Sequence, residues 1–98
     1  MRPGFTFLNY NPKPELIAYK EKLLNYLWEK APSDSILDGH LEAGTHGFRA
    51  KIRIVSREFK YTAVKIAATP REAMEKAAQT ILKRINAWGL ERYKRMIK

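Results

Sequence analysis

Residues 35–55 read Ser35-Ile36-Leu37-Asp38-Gly39-His40-Leu41-Glu42-Ala43-Gly44-Thr45-His46-Gly47-Phe48-Arg49-Ala50-Lys51-Ile52-Arg53-Ile54-Val55, and the fold turns on them. Leu37, Leu41 and Ala43 alternate with Asp38, His40 and Glu42. Beyond Gly44-Thr45-His46-Gly47, Phe48, Ala50, Ile52 and Ile54 alternate with Arg49, Lys51 and Arg53. A period of two marks half-buried strands, because successive side chains point to opposite faces of a sheet. This four-residue loop fixes the register of an antiparallel hairpin. Ala43 then faces Phe48, Leu41 faces Ala50 and Leu37 faces Ile54 on the buried side. On the other side Glu42 meets Arg49, His40 meets Lys51 and Asp38 meets Arg53. Hydrophobic and charge patterns agree on one pairing, which is the strongest argument for it.

Outward from the hairpin, Phe59 to Ala67 reads as a third strand after a turn at Ser56-Arg57-Glu58. Its phase depends on the turn. Three turn residues would bury Thr62, Val64 and Ile66 and set Tyr61 and Lys65 beside the basic row; two would bury Tyr61 and Ala63. The greater apolar bulk of Val64 and Ile66 favours the first. Thr69 then caps a helix with Pro70 at its first position and Glu72 three residues on, the pattern of a capping box. Met74, Ala77, Ala78, Ile81, Leu82, Ile85 and Trp88 form its apolar stripe, with Arg71, Lys76, Lys83 and Arg84 off it. Gly89 is placed to close this helix. Toward the start of the chain, Pro14 opens a helix that buries Leu16, Ile17, Leu23, Leu24, Leu27 and Trp28, and Ala31-Pro32 ends it. Phe5 to Tyr10 is a short aromatic strand. The expected architecture is α+β: a single β-α-β-β-β-α domain over 1–89, an antiparallel meander with two helices packed on one face of the sheet. Residues 90–98 are a basic C-terminal tail or helix extension.

Composition sets the limits. The chain has 98 residues, 45% hydrophobic and 11% aromatic, enough for one packed core and too much for a disordered segment. Cysteine is absent, which removes disulfides, thiolate metal sites and cysteine nucleophiles. No apolar run is long enough to span a bilayer, and Met1-Arg2-Pro3-Gly4 lacks the look of a secretion signal. A cytoplasmic protein with no membrane partner is expected. Charge is the informative quantity. Lys plus Arg number 19 against 10 acids, a net of +9. Residues 1–47 carry five basic and six acidic groups, while residues 48–98 carry fourteen and four. A field of one sign attracts polyanions, and such clustering is the usual footprint of nucleic-acid binding. The plainer alternative is a solvated surface in which Arg49 and Arg53 are cross-strand ion-pair partners.

Material for catalysis is poor. His40 and His46 flank a turn, and with Glu42 they match no metal-ligand spacing; they read as surface and loop residues. No phosphate-loop, dinucleotide, G-x-S-x-G or H-E-x-x-H pattern occurs. A non-enzymatic protein is expected, with no cofactor, no metal and no small-molecule substrate. Binding is better supplied: Arg49, Lys51, Arg53 and Lys65 on the sheet and Arg71, Lys76, Lys83 and Arg84 on the last helix could track phosphates from one continuous surface.

Ala67-Ala68-Thr69-Pro70-Arg71-Glu72-Ala73-Met74, running into Ala77-Ala78-Gln79-Thr80-Ile81-Leu82-Lys83-Arg84-Ile85, resembles the short ribosome hibernation-promoting factors, the ribosome-associated inhibitor family. Members have a strand ending in small residues, a capping position, a small-residue helix face and a Lys/Arg-rich continuation. Pro14 to Lys30 is similar to the family's first helix, and the resemblance covers nearly the whole chain. It implies a monomer that binds the small ribosomal subunit in the channel used by messenger and transfer RNA, inhibiting translation. It also implies that Lys76, Lys83 and Arg84 on the last helix and Arg49, Lys51, Arg53 and Lys65 on the sheet face ribosomal RNA. Two other readings stay open. One is a double-stranded RNA-binding domain, to which Gly44-Thr45-His46-Gly47-Phe48 and the Ala77-Ala78 face are similar. The other is a protein–protein adaptor whose basic surface takes an acidic partner.

Overall fold

The computed structural model describes residues 3–57 and 59–96, with side chains as far as residue 90. Met1, Arg2, the turn residue Glu58 and the end of the basic tail lie outside the described residues. The elements run β1 (Gly4–Leu8), α1 (Pro14–Lys30), β2 (Ile36–Gly44), β3 (Gly47–Val55), β4 (Lys60–Ala67) and α2 (Pro70–Met96). Order in the sheet follows order in the chain. β2, β3 and β4 form the antiparallel meander, and β1 joins β2 in parallel, so the sheet is mixed. A parallel neighbour needs a crossover between the two strands, and α1 supplies it. α2 packs across β3 and β4, and α1 packs against α2.

The central hairpin has the register that its two patterns dictate. Ala43 pairs with Phe48, Leu41 with Ala50, Leu37 with Ile54, Glu42 with Arg49, His40 with Lys51 and Asp38 with Arg53. Gly44 and Gly47 pair as well, so Thr45-His46 alone makes the turn. Gly47 sits at φ +137°, a conformation that L side chains rarely adopt. Gly39 serves a different need. A methyl group there would drive into the backbone oxygen of Lys51 and press on the Phe5 ring.

β4 takes the opposite phase to the one its apolar bulk suggests. Val55 pairs with Lys60 and Ile52 with Ala63, and the Ser56 N–H donates to the Phe59 carbonyl at 2.9 Å. Ala63 and Ala67 are buried, while Val64 and Ile66 stand on the open face at 48% and 65% exposure. The reason lies in α2. It reaches the sheet through Ala73, Met74, Ala77 and Ala78, all buried, over Ala50, Ala63 and Ala67. Small residues on both sides let helix and sheet approach closely, and branched side chains at Ala63 and Ala67 would hold them apart. Phe59 supplies the bulk at the other end, buried beside Trp88 with ring centroids 6.3 Å apart.

α1 buries Leu16, Leu24 and Leu27, whereas Ile17 stays exposed. Ala31 leaves the helix extended and donates its N–H to the Leu27 carbonyl. At the start of α2, Thr69 Oγ1 accepts the Glu72 N–H at 3.2 Å, as a cap should. The Glu72 carboxylate turns to Lys76 Nζ at 3.1 Å, so the capping box is only half made. Gly89 does not end α2, which continues helically to Met96. The cap expected there is replaced by uninterrupted helix.

Two glycines should therefore respond in opposite directions to the same substitution. Gly39→Ala is expected to cost about 2–4 kcal/mol, because a backbone atom cannot yield to the new methyl. Gly89→Ala, with open space around it, should gain up to about 1 kcal/mol through helix propensity. Urea denaturation midpoints of the two variants check both signs.

Candidate nucleic-acid interface

Strand parity divides the candidate cations. Arg49, Lys51 and Arg53 form one column on β3, on the sheet face away from the helices. Lys65 lies on the opposite, helix-facing side, as the register partner of buried Ala50. The expected place of Lys65 beside the basic row is thus overturned by the phase of β4. Arg71, Lys76, Lys83 and Arg84 sit on α2, in the helix layer. The eight residues are divided between two faces, in place of the one continuous surface that the charge distribution suggested.

The two arginines of the sheet column are engaged. Arg53 donates through Nε to Asp38 Oδ1 at 3.2 Å and through Nη2 to Oδ2 at 2.7 Å, a bidentate fork. That hydrogen-bonding, with the carboxylate's charge behind it, raises the Arg53 pKa above its ordinary value. Arg49 Nη2 donates to Glu42 Oε1 at 3.3 Å. Both pairs lie in solvent, where pairing contributes little and a phosphate can compete for the guanidinium. Lys51, between them, has no carboxylate at ion-pair distance among the described residues. It lines a shallow depression with Thr6, His40, Asp38 and Arg53.

In the helix layer two arginines lie over aromatic rings. The Arg71 guanidinium is 4.4 Å from the Tyr19 ring centre, tying α2 to α1. Arg84 lies 5.1 Å from the Phe59 ring centre. Such stacking orients the planar group while leaving N–H donors free. Lys76 is held by Glu72. Lys83 and Lys65 are exposed and lack an ion-pair partner among the described residues. Of the eight candidates, Lys51, Lys65 and Lys83 are thus the ones with neither an ion pair nor a ring contact among the described residues. Sequence reasoning missed the roles of Tyr19 and Phe59, which position two of the guanidinium groups; no local spacing signals a ring contributed by another element.

His40 stands on the open face opposite Lys51, and His46 lies in the turn. Among the described residues no three His, Asp or Glu side chains gather as a metal site, and no described helix is long and apolar enough to cross a membrane.

Comparison with solved structures finds the same architecture elsewhere. The N-terminal domain of Thermus thermophilus Protein Y superposes with a TM-score of 0.74, covering 90% of this chain and 99% of that one at 16% identity. A ribosomal subunit interface protein from Coxiella burnetii gives 0.74 over 92% and 99% of the two chains, at 10% identity. The fold is the one they share. No protein-family model and no curated protein matches the sequence. Conservation of the backbone at so low an identity means that the pattern of buried and exposed positions defines this fold, more than particular side chains do.

The Tyr19–Arg71 contact has a pH signature. Burial, then the nearby Glu75 carboxylate, raises the Tyr19 hydroxyl above its ordinary value of 10.0. The folded state thus holds this proton more tightly than the unfolded chain does. Its contribution to stability is complete below the unfolded pKa and is lost as pH rises through the folded one. Tyr19→Phe should flatten the fall in denaturation midpoint above about pH 10, against the same series for the parent chain.

Proposed function

We propose that the protein is a non-enzymatic ribosome-binding protein that seats in the messenger- and transfer-RNA channel of the small subunit and blocks translation there. The observation that carries this reading is the backbone match, over nine-tenths of the chain, to a ribosomal subunit interface protein and to the N-terminal domain of Protein Y. The charge of +9, concentrated in residues 48–98, supports an RNA partner.

Placement of the cations on two faces also bears on the kind of RNA surface. A duplex laid on one side of a domain would leave the other column idle. A channel has walls on both sides, so Lys51 on the open sheet face and Lys83 in the helix layer could each meet phosphate at once. This favours a channel over the duplex-binding alternative, whose helix–three-strand–helix core would also leave β1 without a purpose. Lys51, Lys65 and Lys83 would make phosphate contacts directly. Arg49, Arg53, Arg71, Lys76 and Arg84 would exchange or share their present partners. Lacking base-edge groups in a defined array, such contacts hold shape and charge more than sequence.

Sedimentation of the purified protein with ribosomal subunits tests the proposal. It should co-migrate with the small subunit and dissociate steeply as salt is raised, with in vitro translation inhibited in proportion to occupancy. Lys51→Glu, at a half-buried position, and Lys83→Glu, at an exposed one, should each weaken binding and lower the salt slope by about one. Migration apart from ribosomes at low salt, or binding insensitive to both substitutions, would remove the reading.

A further inference from the structure

The two edges of the sheet are built differently. β1 is short, is preceded by Pro3 and is followed by Asn9 at φ 54°, a left-handed residue that turns the chain away. Such devices blunt an edge against further pairing. β4 has none of them. Its residues 60–67 contain no proline and no glycine, and among the described residues β3 is its only strand partner. Because the Phe59 carbonyl accepts the Ser56 N–H, alternation along β4 turns the N–H and C=O groups of odd-numbered residues toward β3. The main-chain groups of Thr62, Val64 and Ile66 therefore point outward, unpaired by any strand among the described residues. The same residues place their side chains on the open face, where Val64 and Ile66 are among the most exposed large apolar residues of the described chain.

We infer that the free edge of β4 accepts an extended peptide strand of another protein, one that alternates apolar with acidic residues. Main-chain bonding to Thr62, Val64 and Ile66 would supply affinity, and alternate side chains would supply choice. On the open face an apolar residue of the guest covers Val64 and Ile66. On the helix-facing side a carboxylate meets Lys65, which has no ion-pair partner among the described residues. Charge selects the occupant. β4 carries Lys60 and Lys65 and no acid, and the neighbouring column on β3 is cationic. A second copy would bring lysine-bearing edges and a charge of +9 against their like, whereas an acidic strand is drawn in. None of these steps uses the ribosome reading.

The test is amide hydrogen exchange in the full chain, read by NMR, with a blocked peptide of about ten residues alternating glutamate and valine as probe. At saturation the amides of Thr62, Val64 and Ile66 should exchange about tenfold more slowly or better, while those of β1 stay unchanged. A peptide alternating lysine and valine should not bind. Val64→Glu with Ile66→Glu, at positions already in solvent, removes the apolar contact and adds like charge, and should weaken the glutamate peptide about tenfold or more. Val64→Pro, which deletes one outward N–H and spares the ladder to β3, should do the same. Four results would overturn the inference: unchanged exchange at these three amides, equal binding of the lysine peptide, undiminished binding by both variants, or slowing of the same amides by a short RNA duplex but not by the peptide. Concentration-dependent dimerisation that already protects these amides in the free protein would also overturn it, giving the edge to a second copy.

Discussion

Close approach of alanine to alanine governs this molecule. Ala73, Ala77 and Ala78 on α2 lie over Ala50, Ala63 and Ala67 on the sheet, all of them buried. With so little side chain between them, the helix and β3–β4 come together, and Met74 and Ile81 of α2 with Ile52 and Ile54 of β3 complete the same buried core. Phe59 and Trp88 fill one end; at the other, Tyr10 stands edge-to-face on Phe48 and tilted against Phe7. The seam decides which way β4 faces. It thereby decides where Lys65 goes and why two branched apolar side chains stand in water.

How far the sequence reveals this differs from element to element. The β2–β3 hairpin was legible because two independent patterns, apolar and ionic, permit only one register, and the fold adopts every pair they specify. α1 and the start of α2 were legible through proline placement and Thr69. The phase of β4 was not. Apolar bulk is a sound guide to burial where the facing layer is distant, and a poor one where the facing helix is lined with alanine. Val64 and Ile66 looked like core residues, but the core at that point had no room for them. Gly89 misled for a related reason: a glycine ends a helix only when the chain has cause to turn there, and α2 has none.

The candidate interface inherits the same error. A basic row extended by Lys65 requires β4 in the other phase; with the true register the cations divide between the open face and the helix layer. Most of the eight are exposed, and none is locked in a buried pair among the described residues. Their grouping depended on which side of the sheet each strand turned, and charge counts carry no information about that. Aromatic support for Arg71 and Arg84 comes from α1 and from Phe59 just before β4, places remote in the chain.

The parallel pairing of β1 has its own consequence. β2, β3 and β4 are joined by tight turns, so their contacts form early in folding at small entropic cost. β1 meets β2 only after all of α1 has been laid down between them. It is the strand whose docking is slowest to be rewarded and whose release disturbs the fewest other contacts. Under mechanical load applied at the N-terminus, β1 is the first piece to peel, leaving the meander and α2 still folded behind it.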